Sequence, residues 1–246
     1  MNGWRPDVGP PLDAAMAELR TAELSIAGRL PWSSNLTFLV VLESDDERDG
    51  PPLNAVYKPA SGEQSLWDFP DGLYRREVAA YALSDALGWG LVPPTVVRDD
   101  GPFGPGSLQL FVEADYEQHY FTLLEEGGHD DLLRTMCAFD VVANNADRKS
   151  GHVLQGACDR LWAIDHGLCF HRQTKLRTVI WDFVGEAVPD RVLADLKQLA
   201  ANPPGELADL LSDEELEALA ERTAWLLESG IFPEPIGDRP YPWPMV

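Results

Sequence analysis

Two aspartates, Asp147 and Asp165, mark the most informative stretch of the chain, residues 140–170. Two short apolar runs in this stretch, residues 153–154 and 161–164, predict the strands of a hairpin, with Asp147 a few residues before the first run and Asp165 directly after the second. Such a hairpin can hold one carboxylate beside a nucleophile and the other on a metal ion. Phosphoryl transfer needs this arrangement, because positioning and charge neutralisation provide most of its catalysis. The stretch therefore predicts a kinase-like site.

A lysine and a glutamate upstream form a second candidate pair. Lys58 ends a predicted strand in the sequence Ala-Val-Tyr-Lys-Pro, and Glu77 lies near the start of a predicted helix, residues 73–87. In kinases a strand lysine binds the α- and β-phosphates of ATP, and a helix glutamate fixes its mobile ammonium group. Taken alone, the pair is better explained as an ordinary strand-end cation and a solvated helix carboxylate. Together with Asp147 and Asp165, it favours a phosphate-binding role.

Residues 28–35 join the first two predicted strands, where a kinase carries the loop that covers the phosphates. This segment lacks the Gly-x-Gly-x-x-Gly pattern of such loops. Ser34 and Asn35, together with Ser33, offer hydroxyl and backbone N–H donors to phosphate instead. An ordinary hairpin turn is the alternative.

The predicted elements follow a simple order: strands with one helix, then helices with one hairpin. Predicted strands occupy residues 23–27, 37–42, 53–58, 95–98 and 107–113. Predicted helices occupy residues 12–20, 73–87, 130–142, 189–201 and 204–211, and a capping box at Ser212 begins a last helix that ends at Gly230. This order predicts an α+β layout of two lobes, residues 1–113 and 114–246, with the crossover near residues 112–115. The Pro- and aromatic-rich tail, residues 232–246, is expected either to pack irregularly or to extend freely.

The composition limits the classes of partner. The chain has 246 residues, of which 45% are hydrophobic, and a formal net charge of −22. We expect so acidic a chain neither to bind nucleic acid nor to associate stably with membranes, because both need Lys/Arg-rich patches. No apolar run approaches the roughly 20 residues that span a bilayer, and the N-terminus lacks the pattern of a signal peptide. Three cysteines without a CxxC pair favour reduced thiols, and a cytoplasmic location is expected.

Several short motifs resemble those of one kinase group. Asn145-Ala-Asp-Arg and Ile164-Asp-His-Gly-Leu-Cys-Phe resemble motifs of phosphatidylinositol 3-/4-kinase-like proteins, the type II phosphatidylinositol 4-kinases in particular. Val56-Tyr-Lys-Pro and Arg76-Glu-Val-Ala-Ala-Tyr resemble the lysine and glutamate motifs of the same group. The similarity spans roughly residues 24–185, and it is strongest to a bacterial branch of short proteins with a Gly-Glu-x-x-Leu-Trp-Asp-Phe-Pro segment.

The resemblance implies a role for each matching position. Asp147 would orient or deprotonate the acceptor hydroxyl, Lys149 would face the transferring phosphate, and Asp165 would bind Mg²⁺. Lys58 and Glu77 would hold the ATP phosphates, and the segment with Gln109, Phe111 and Val112 would form the hinge against adenine.

One position departs from the kinase pattern. Five residues after the catalytic aspartate, kinases keep a metal-binding asparagine, and here that place is taken by His152. Imidazole is a poor ligand for Mg²⁺, which prefers oxygen. Three alternatives follow: His152 contacts phosphate, binds a softer ion such as Mn²⁺, or marks weakened turnover. Asn144 or Asn145 is a further candidate for the missing amide oxygen.

Two residue clusters near Asp165 have competing interpretations. Arg172, Lys175 and Arg177 form a basic run that either recruits an anionic acceptor or lies in a solvated loop. His166, Cys169 and His171 are close in sequence, as zinc ligands are. No second ligand pair accompanies them elsewhere, so we favour side chains that merely flank a metal-binding aspartate.

Together these features predict a bilobal, protein-kinase-like phosphotransferase that uses ATP and Mg²⁺ or Mn²⁺. The expected acceptor is a protein side chain or a soluble small molecule, since the chain lacks an obvious membrane-binding segment. A nucleotide-binding pseudokinase and a kinase-fold enzyme that transfers AMP are the alternatives. A weaker one is a metal-dependent hydrolase that uses Asp147, His152 and Asp165.

Overall fold

The computed structural model describes residues 4–7, 9–31, 35–43, 51–235 and 237–246. The first half contains α1 (Leu12–Thr21), β1 (Glu23–Arg29), β2 (Phe38–Glu43), β3 (Asn54–Pro59), α2 (Leu73–Ala86), β4 (Thr95–Arg98) and β5 (Gly106–Leu110). The second half contains β6 (Ala114–Asp115), α3 (Tyr120–Glu126), α4 (Asp130–Ala143), β7 (Val153–Gly156), β8 (Leu161–Ala163), α5 (Asp190–Ala201), α6 (Leu207–Leu210) and α7 (Asp213–Ser229). The fold is therefore α+β, strand-rich first and mainly helical afterwards.

The first sheet aims Lys58 away from α1. Its five strands are antiparallel in the order β1-β2-β3-β5-β4. Because side chains alternate along a strand, Ala55 and Tyr57 face one side of β3 and Lys58 faces the other. Ala55 and Tyr57 are fully buried in an apolar cluster that includes Leu19 of α1. Since α1 covers that face, Lys58 points to the opposite one.

Helix α2 connects the sheet to the helical half. Leu83 in α2 is fully buried in a large apolar cluster. This cluster also contains Leu91, which follows α2, and Phe139, which lies in α4. The helix ends before Gly88, which adopts a left-handed conformation with φ of 65°. This packing holds α2 rigidly, together with the glutamate in its second turn, Glu77.

The predicted hairpin is confirmed. Strands β7 and β8 are antiparallel, with Val153 opposite Ala163 and Leu154 opposite Trp162. Val153 and Ala163 are fully buried in the large apolar cluster. The hairpin is therefore anchored in the core, and Asp165 emerges two residues after its second strand.

Two predicted elements differ from the structure, and one α-helix of the structure was not predicted. The strand predicted at residues 107–113 ends at Leu110, and Val112 forms an isolated bridge with Trp4. The helix predicted at 204–211 is reduced to α6, since residues 203–205 are Pro-Pro-Gly and resist helix formation. Helix α3 was not predicted; its N-cap is His119, whose ring accepts a hydrogen bond from the Thr122 N–H.

The predicted capping box at the start of α7 is confirmed. The Ser212 hydroxyl accepts a bond from the Glu215 N–H (3.4 Å), and the Glu215 carboxylate accepts one from the Ser212 N–H (3.0 Å). Glu215 also pairs with the buried Arg76 of α2. The cap therefore ties α7 to the helix that carries Glu77.

The C-terminal tail packs irregularly on the second half. The carbonyl of Met245 accepts a bond from the Ser150 N–H (2.8 Å), and the carbonyl of Pro240 accepts one from the Thr178 N–H (3.1 Å). Phe232 is 1% exposed. Irregular packing, rather than free extension, is therefore the outcome for the described part of the tail.

The three cysteines are free thiols, with Cys158 exposed and Cys137 and Cys169 buried. Burial raises the pKa of Cys137 and Cys169 well above the usual range, so both thiols stay protonated. Within the described ranges, no helix is both long and apolar enough to cross a membrane.

Candidate active site

A cleft of about 310 Å³ lies between the first sheet, α2 and the β7–β8 hairpin. Seven residues predicted for the site line it: Asn35, Lys58, Glu77, Asp147, Lys149, His152 and Asp165. Asn35 accepts a bond from the Gln64 N–H through its side-chain oxygen (2.9 Å). Ser34, predicted to bind phosphate beside it, lies outside the described residues, as does Ser33.

Lys58 joins the two halves of the cleft. Its ammonium group pairs with Glu77 of α2 and, at 2.9 Å, with Asp165, which lies 107 residues further along the chain. The second carboxylate oxygen of Glu77 accepts a bond from the His166 N–H (2.9 Å). Three separate elements, β3, α2 and the end of the hairpin, therefore converge on one ammonium group.

The charges of this cluster sustain one another. Burial acts to lower the pKa of Lys58, but the carboxylates of Asp165 and Glu77 outweigh it and raise that pKa. The charge of Lys58 in turn lowers the pKa of Asp165, against the opposing effect of burial. Both groups therefore remain ionised at neutral pH.

Asp165 occupies an unusual backbone conformation. Its φ of 60° lies in the left-handed region, which residues other than glycine rarely adopt. Its side chain is 49% exposed, so it keeps contact with the cleft while one oxygen pairs with Lys58. Backbone strain of this kind concentrates at functional sites, where the surrounding structure holds it in place.

Asp147 has the properties of a base near neutral pH. Burial raises its pKa to about 6, although Lys149, whose ammonium lies 3.1 Å from the carboxylate, acts to lower it. The Asp147 N–H donates to the side-chain oxygen of Asn145 (3.0 Å), which orients the loop. A carboxylate with such a pKa is mostly ionised at pH 7, and it is more basic than an ordinary carboxylate. Both properties favour its action as a general base.

His152 lies close to Asp165 as a neutral ring with its proton on Nε2. Its Nδ1 accepts a bond from the Lys149 N–H (3.4 Å), which assigns the proton of the neutral ring to Nε2. Nε2 lies 3.4 Å from a carboxylate oxygen of Asp165. Burial lowers the pKa of His152 to about 4, so the ring is neutral at pH 7. In this tautomer Nε2 has no free lone pair, so metal ligation by His152 through Nε2 would require the other tautomer.

The two asparagines considered as substitute ligands are engaged elsewhere. Both are fully buried. The side-chain oxygen of Asn144 accepts a bond from the Lys175 N–H (2.8 Å), and that of Asn145 accepts the bond from Asp147. Neither amide oxygen therefore faces the cleft, and the proposed replacement of the missing ligand by Asn144 or Asn145 does not agree with the structure.

The predicted hinge residues lie beside the cleft. None of them is among the described residues that line it. Gln109 is buried in β5, and its amide donates to a hydroxyl of β4 (2.9 Å). The N-terminal Trp4 forms a parallel bridge with Val112: its N–H donates to the Phe111 carbonyl (2.6 Å), and its carbonyl accepts from the Glu113 N–H (3.1 Å). Part of the predicted adenine-binding backbone is thus already hydrogen-bonded within the chain.

The clusters next to Asp165 also have defined partners. Of the basic run, Arg172 pairs with Glu214 (2.6 Å) and Lys175 with Asp68 (2.8 Å). His166 is fully buried, and its Nε2 lies 2.8 Å from Nη2 of Arg148, which can only donate. The Nε2 lone pair is therefore already used. Across the described ranges, no group of three or more His, Cys, Asp or Glu is arranged to hold a metal ion.

A buried ion pair supports the loop that carries Asp147. Arg148 and Asp140 of α4 are both fully buried, and Arg148 Nη2 lies 2.9 Å from the carboxylate. Arg148 also donates to the Ile164 carbonyl (3.0 Å), and Asp140 accepts from Asn145 (3.0 Å) and Thr178 (3.1 Å). Sequence reasoning assigned neither residue a role. One sequence feature indicates a buried role for Asp140: its carboxylate lies within the apolar run Ala-Phe-Asp-Val-Val of α4.

We expect Asp140→Asn to lower the free energy of unfolding by about 3–5 kcal/mol, because it leaves the Arg148 charge buried without a counter-ion. Urea unfolding followed by circular dichroism measures the loss. The matched control is Glu214→Gln, which breaks the exposed pair with Arg172 and should change stability by less than about 1 kcal/mol. Equal, small losses in both variants would contradict a supporting role for the buried pair.

Solved structures share this architecture. The structure of hydra Fam20 with sugar matches with a TM-score of 0.56 at 14% identity, covering 89% of this chain and 88% of that one. The Golgi casein kinase with Mn/ADP bound matches with a TM-score of 0.55 at 13% identity, covering 88% of this chain and 74% of that one. The chain therefore has an atypical kinase-like fold, and the predicted fold class is confirmed.

A closer relative defines the family. Protein Rv2133c of Mycobacterium tuberculosis is 39% identical to this chain, over 94% of this chain and 95% of that protein. The chain belongs to the same family as protein Rv2133c. No protein-family model matches the sequence. None of these three proteins is named as a phosphatidylinositol kinase, so that resemblance rests on the sequence motifs alone.

Proposed function

We propose that this protein is an ATP-dependent phosphotransferase that acts on a protein side chain or a soluble small molecule. One observation carries the proposal: the Lys58 ammonium pairs with both Glu77 and Asp165, from three elements far apart in sequence. This is the arrangement that phosphoryl transfer on a kinase-like fold requires. The motifs that resemble those of phosphatidylinositol 3-/4-kinases support the same roles for these residues. The proposed acceptor, however, is not a lipid.

Each residue of the cleft has a proposed task. Lys58, fixed by Glu77, binds the α- and β-phosphates of ATP. Lys149 lies next to Asp147 and faces the transferring phosphate. Asp147 orients the acceptor hydroxyl and accepts its proton as the new bond to phosphorus forms. The leaving ADP keeps the electron pair of the broken bond.

The donor set fits a divalent cation with few protein ligands. Mg²⁺ is commonly held by one or two carboxylates together with substrate phosphates and water, and Asp165 offers a half-exposed, ionised carboxylate. When bound, such an ion neutralises the charge of the phosphates. The Golgi casein kinase, solved with Mn/ADP, supports Mn²⁺ as the alternative to Mg²⁺. His152 Nε2 lies 3.4 Å from the carboxylate oxygen of Asp165 that does not pair with Lys58.

The lobe and hinge assignments complete the proposal. We assign residues 1–113 to the N-lobe and residues 114–246 to the C-lobe, a division supported by the pairing of β6 with β7. The proposed hinge consists of Gln109, Phe111 and Val112. Adenine binding there requires Trp4 to release the Phe111 carbonyl and the Glu113 N–H, to which it is hydrogen-bonded.

Isotope labelling tests the reaction. The protein is incubated with γ-labelled or α-labelled ATP, with Mg²⁺ or Mn²⁺, and the products are analysed by mass spectrometry and thin-layer chromatography. Transfer of the γ-label to protein or to an added acceptor supports the proposal, whereas transfer of the α-label identifies AMP transfer. The absence of both transfer and ATP-induced thermal stabilisation would overturn it.

A nucleotide-binding pseudokinase is the second candidate function. Two observations favour it: a histidine whose Nε2 lies 3.4 Å from Asp165 stands where kinases keep a metal-binding asparagine, and Trp4 occupies backbone groups of the proposed hinge. It predicts ATP-induced stabilisation without transfer of either label. The labelling experiment therefore separates the two functions.

The rate of transfer should depend on pH through Asp147. Burial raises its pKa to about 6, and only the deprotonated form can accept a proton, so activity should rise with pH and reach a plateau above pH 7. We expect about a tenfold lower rate at pH 5 than at pH 7. Initial rates at saturating ATP measure this profile. Lys149→Met should move the midpoint upward because it removes a cation that lowers this pKa; a flat profile in both proteins would contradict the assignment.

A further inference from the structure

A second cavity lies behind the loop of Asp147, and none of the described residues lines both this cavity and the active cleft. Its volume is about 800 Å³. Helix α4, the loop at residues 173–177, helix α7 and the C-terminal tail enclose it. The cavity is larger than the active cleft, and no step of the proposed reaction uses it.

The charge of this cavity is opposite to that of the chain. Three guanidinium groups line it, from Arg177, Arg222 and Arg239, against two carboxylates, from Glu221 and Asp238. The whole chain has a net charge of −22, so a cationic cavity is not expected from composition. Within the described part of the chain, none of the three guanidinium groups forms an ion pair. No paired carboxylate in the described structure therefore neutralises their positive charges.

Arg222 gives the clearest sign of a missing partner. Its Nε donates to the Val142 carbonyl (2.8 Å), which fixes the side chain, but its buried Nη2 has no hydrogen-bond partner in the described structure. Burial lowers the pKa of Arg222 to about 10, so the group remains charged at pH 7 although it is poorly solvated. A buried donor without an acceptor is costly, and the charge that Arg222 places behind the cavity wall favours an anion in the cavity.

Aromatic and apolar side chains form the rest of the cavity wall. Trp181 and Trp225 line it together with Leu176 and Pro233, and Trp225 on α7 is 46% exposed. A pocket with convergent polar groups and a largely apolar wall is typical of sites for small organic ligands. We propose that this cavity binds an organic anion, with a phosphate or carboxylate group at the arginines and a flat apolar body between the tryptophans.

The cavity is connected to the active site through the backbone. The N–H of Arg177 donates to the Asn145 carbonyl (2.9 Å), and its carbonyl accepts from the Arg148 N–H (3.0 Å). Arg177 is thus hydrogen-bonded to Asn145, two residues before Asp147, and to Arg148, the residue after it. A ligand held by the Arg177 side chain stabilises the loop of Asp147, which makes the cavity an effector site.

Calorimetric titration of the full chain, without ATP, tests this proposal. The probes are 1-naphthyl phosphate, 1-naphthoate, the neutral 1-naphthol and inorganic phosphate. We expect both naphthyl anions to bind with one site per chain, and naphthol and inorganic phosphate to bind at least tenfold more weakly. The proposal would be overturned if naphthol bound as tightly as the naphthyl anions, or if neither naphthyl anion bound.

Variants locate the binding site. Arg177→Gln and Arg239→Gln should each weaken 1-naphthyl phosphate binding about tenfold. The matched control, Arg172→Gln, changes an exposed arginine of the same loop that pairs with Glu214 outside the cavity, and should bind as wild type. Unchanged binding in both cavity variants, or equal loss in the control, would refute the site. Circular dichroism spectra identify any variant that fails to fold.

This inference does not depend on the proposed phosphotransferase activity. Lys58→Met alters the active cleft and should leave 1-naphthyl phosphate binding unchanged. Loss of binding in Lys58→Met would place the probe in the active cleft and overturn the effector site. An inactive protein that still binds the probe through Arg177 and Arg239 would instead contradict only the phosphotransferase proposal.

Discussion

Asp165→Asn is expected to abolish the metal-dependent stabilisation of the protein by ATP and to reduce transfer by at least about 10³-fold. Lys58 keeps the Asp165 carboxylate ionised by lowering its pKa, and the half-exposed side chain faces the cleft. The amide of asparagine has a similar shape but no charge, so it neither attracts a divalent cation nor balances the Lys58 ammonium. The change should therefore remove function with little change of shape.

Thermal melting with and without ATP and Mg²⁺ or Mn²⁺ measures this effect. In the wild type, a ligand at 100 times its Kd should add about 2.7 kcal/mol to the free energy of unfolding, and the variant should lose most of that increment. The matched control is Asp100→Asn, which removes an exposed carboxylate that pairs with the buried Arg98 outside the described cleft lining and should keep the full shift. A wild-type melting shift in Asp165→Asn would remove this residue from the site.

Asp147→Asn should lower the rate of transfer by about 10²–10⁴-fold while leaving the affinity for ATP unchanged. The side chain is proposed to act on the acceptor hydroxyl, not on the nucleotide. Quenched-flow or steady-state assays give the rate, and calorimetry gives the affinity. Loss of ATP binding in this variant would mean that Asp147 holds the nucleotide or its metal ion instead.

The same substitution should stabilise the protein. Burial raises the pKa of Asp147 to about 6, above its value in an unfolded chain, so folding disfavours the ionised form. This penalty grows as pH rises from about 4 to 6, and it is fully present at pH 7. Asn removes the charge, and we expect the free energy of unfolding to increase by about 1–2 kcal/mol at pH 7 but hardly at pH 4. Equal effects at both pH values would contradict burial as the cause.

The local patterns of the sequence determined the elements and their order. Strand alternation in β3 directed Lys58 to one face, and the short apolar runs on either side of a turn predicted β7 and β8. The capping box at Ser212 and the stop at Gly230 bounded α7. Each of these signals acts over a few residues, because alternation and capping depend on neighbouring backbone groups. They therefore remain readable without any knowledge of the packed chain.

Only the tertiary structure decided which groups meet. Lys58 and Asp165 are 107 residues apart, and Trp4 reaches the segment at Val112. The tautomer of His152, the buried pair of Asp140 and Arg148, and the cationic cavity around Arg222 likewise depend on side chains from several elements. Burial and charge act through space rather than along the chain, so one residue's partner and pKa follow from packing. The sequence alone determined the candidate residues; their convergence required the folded chain.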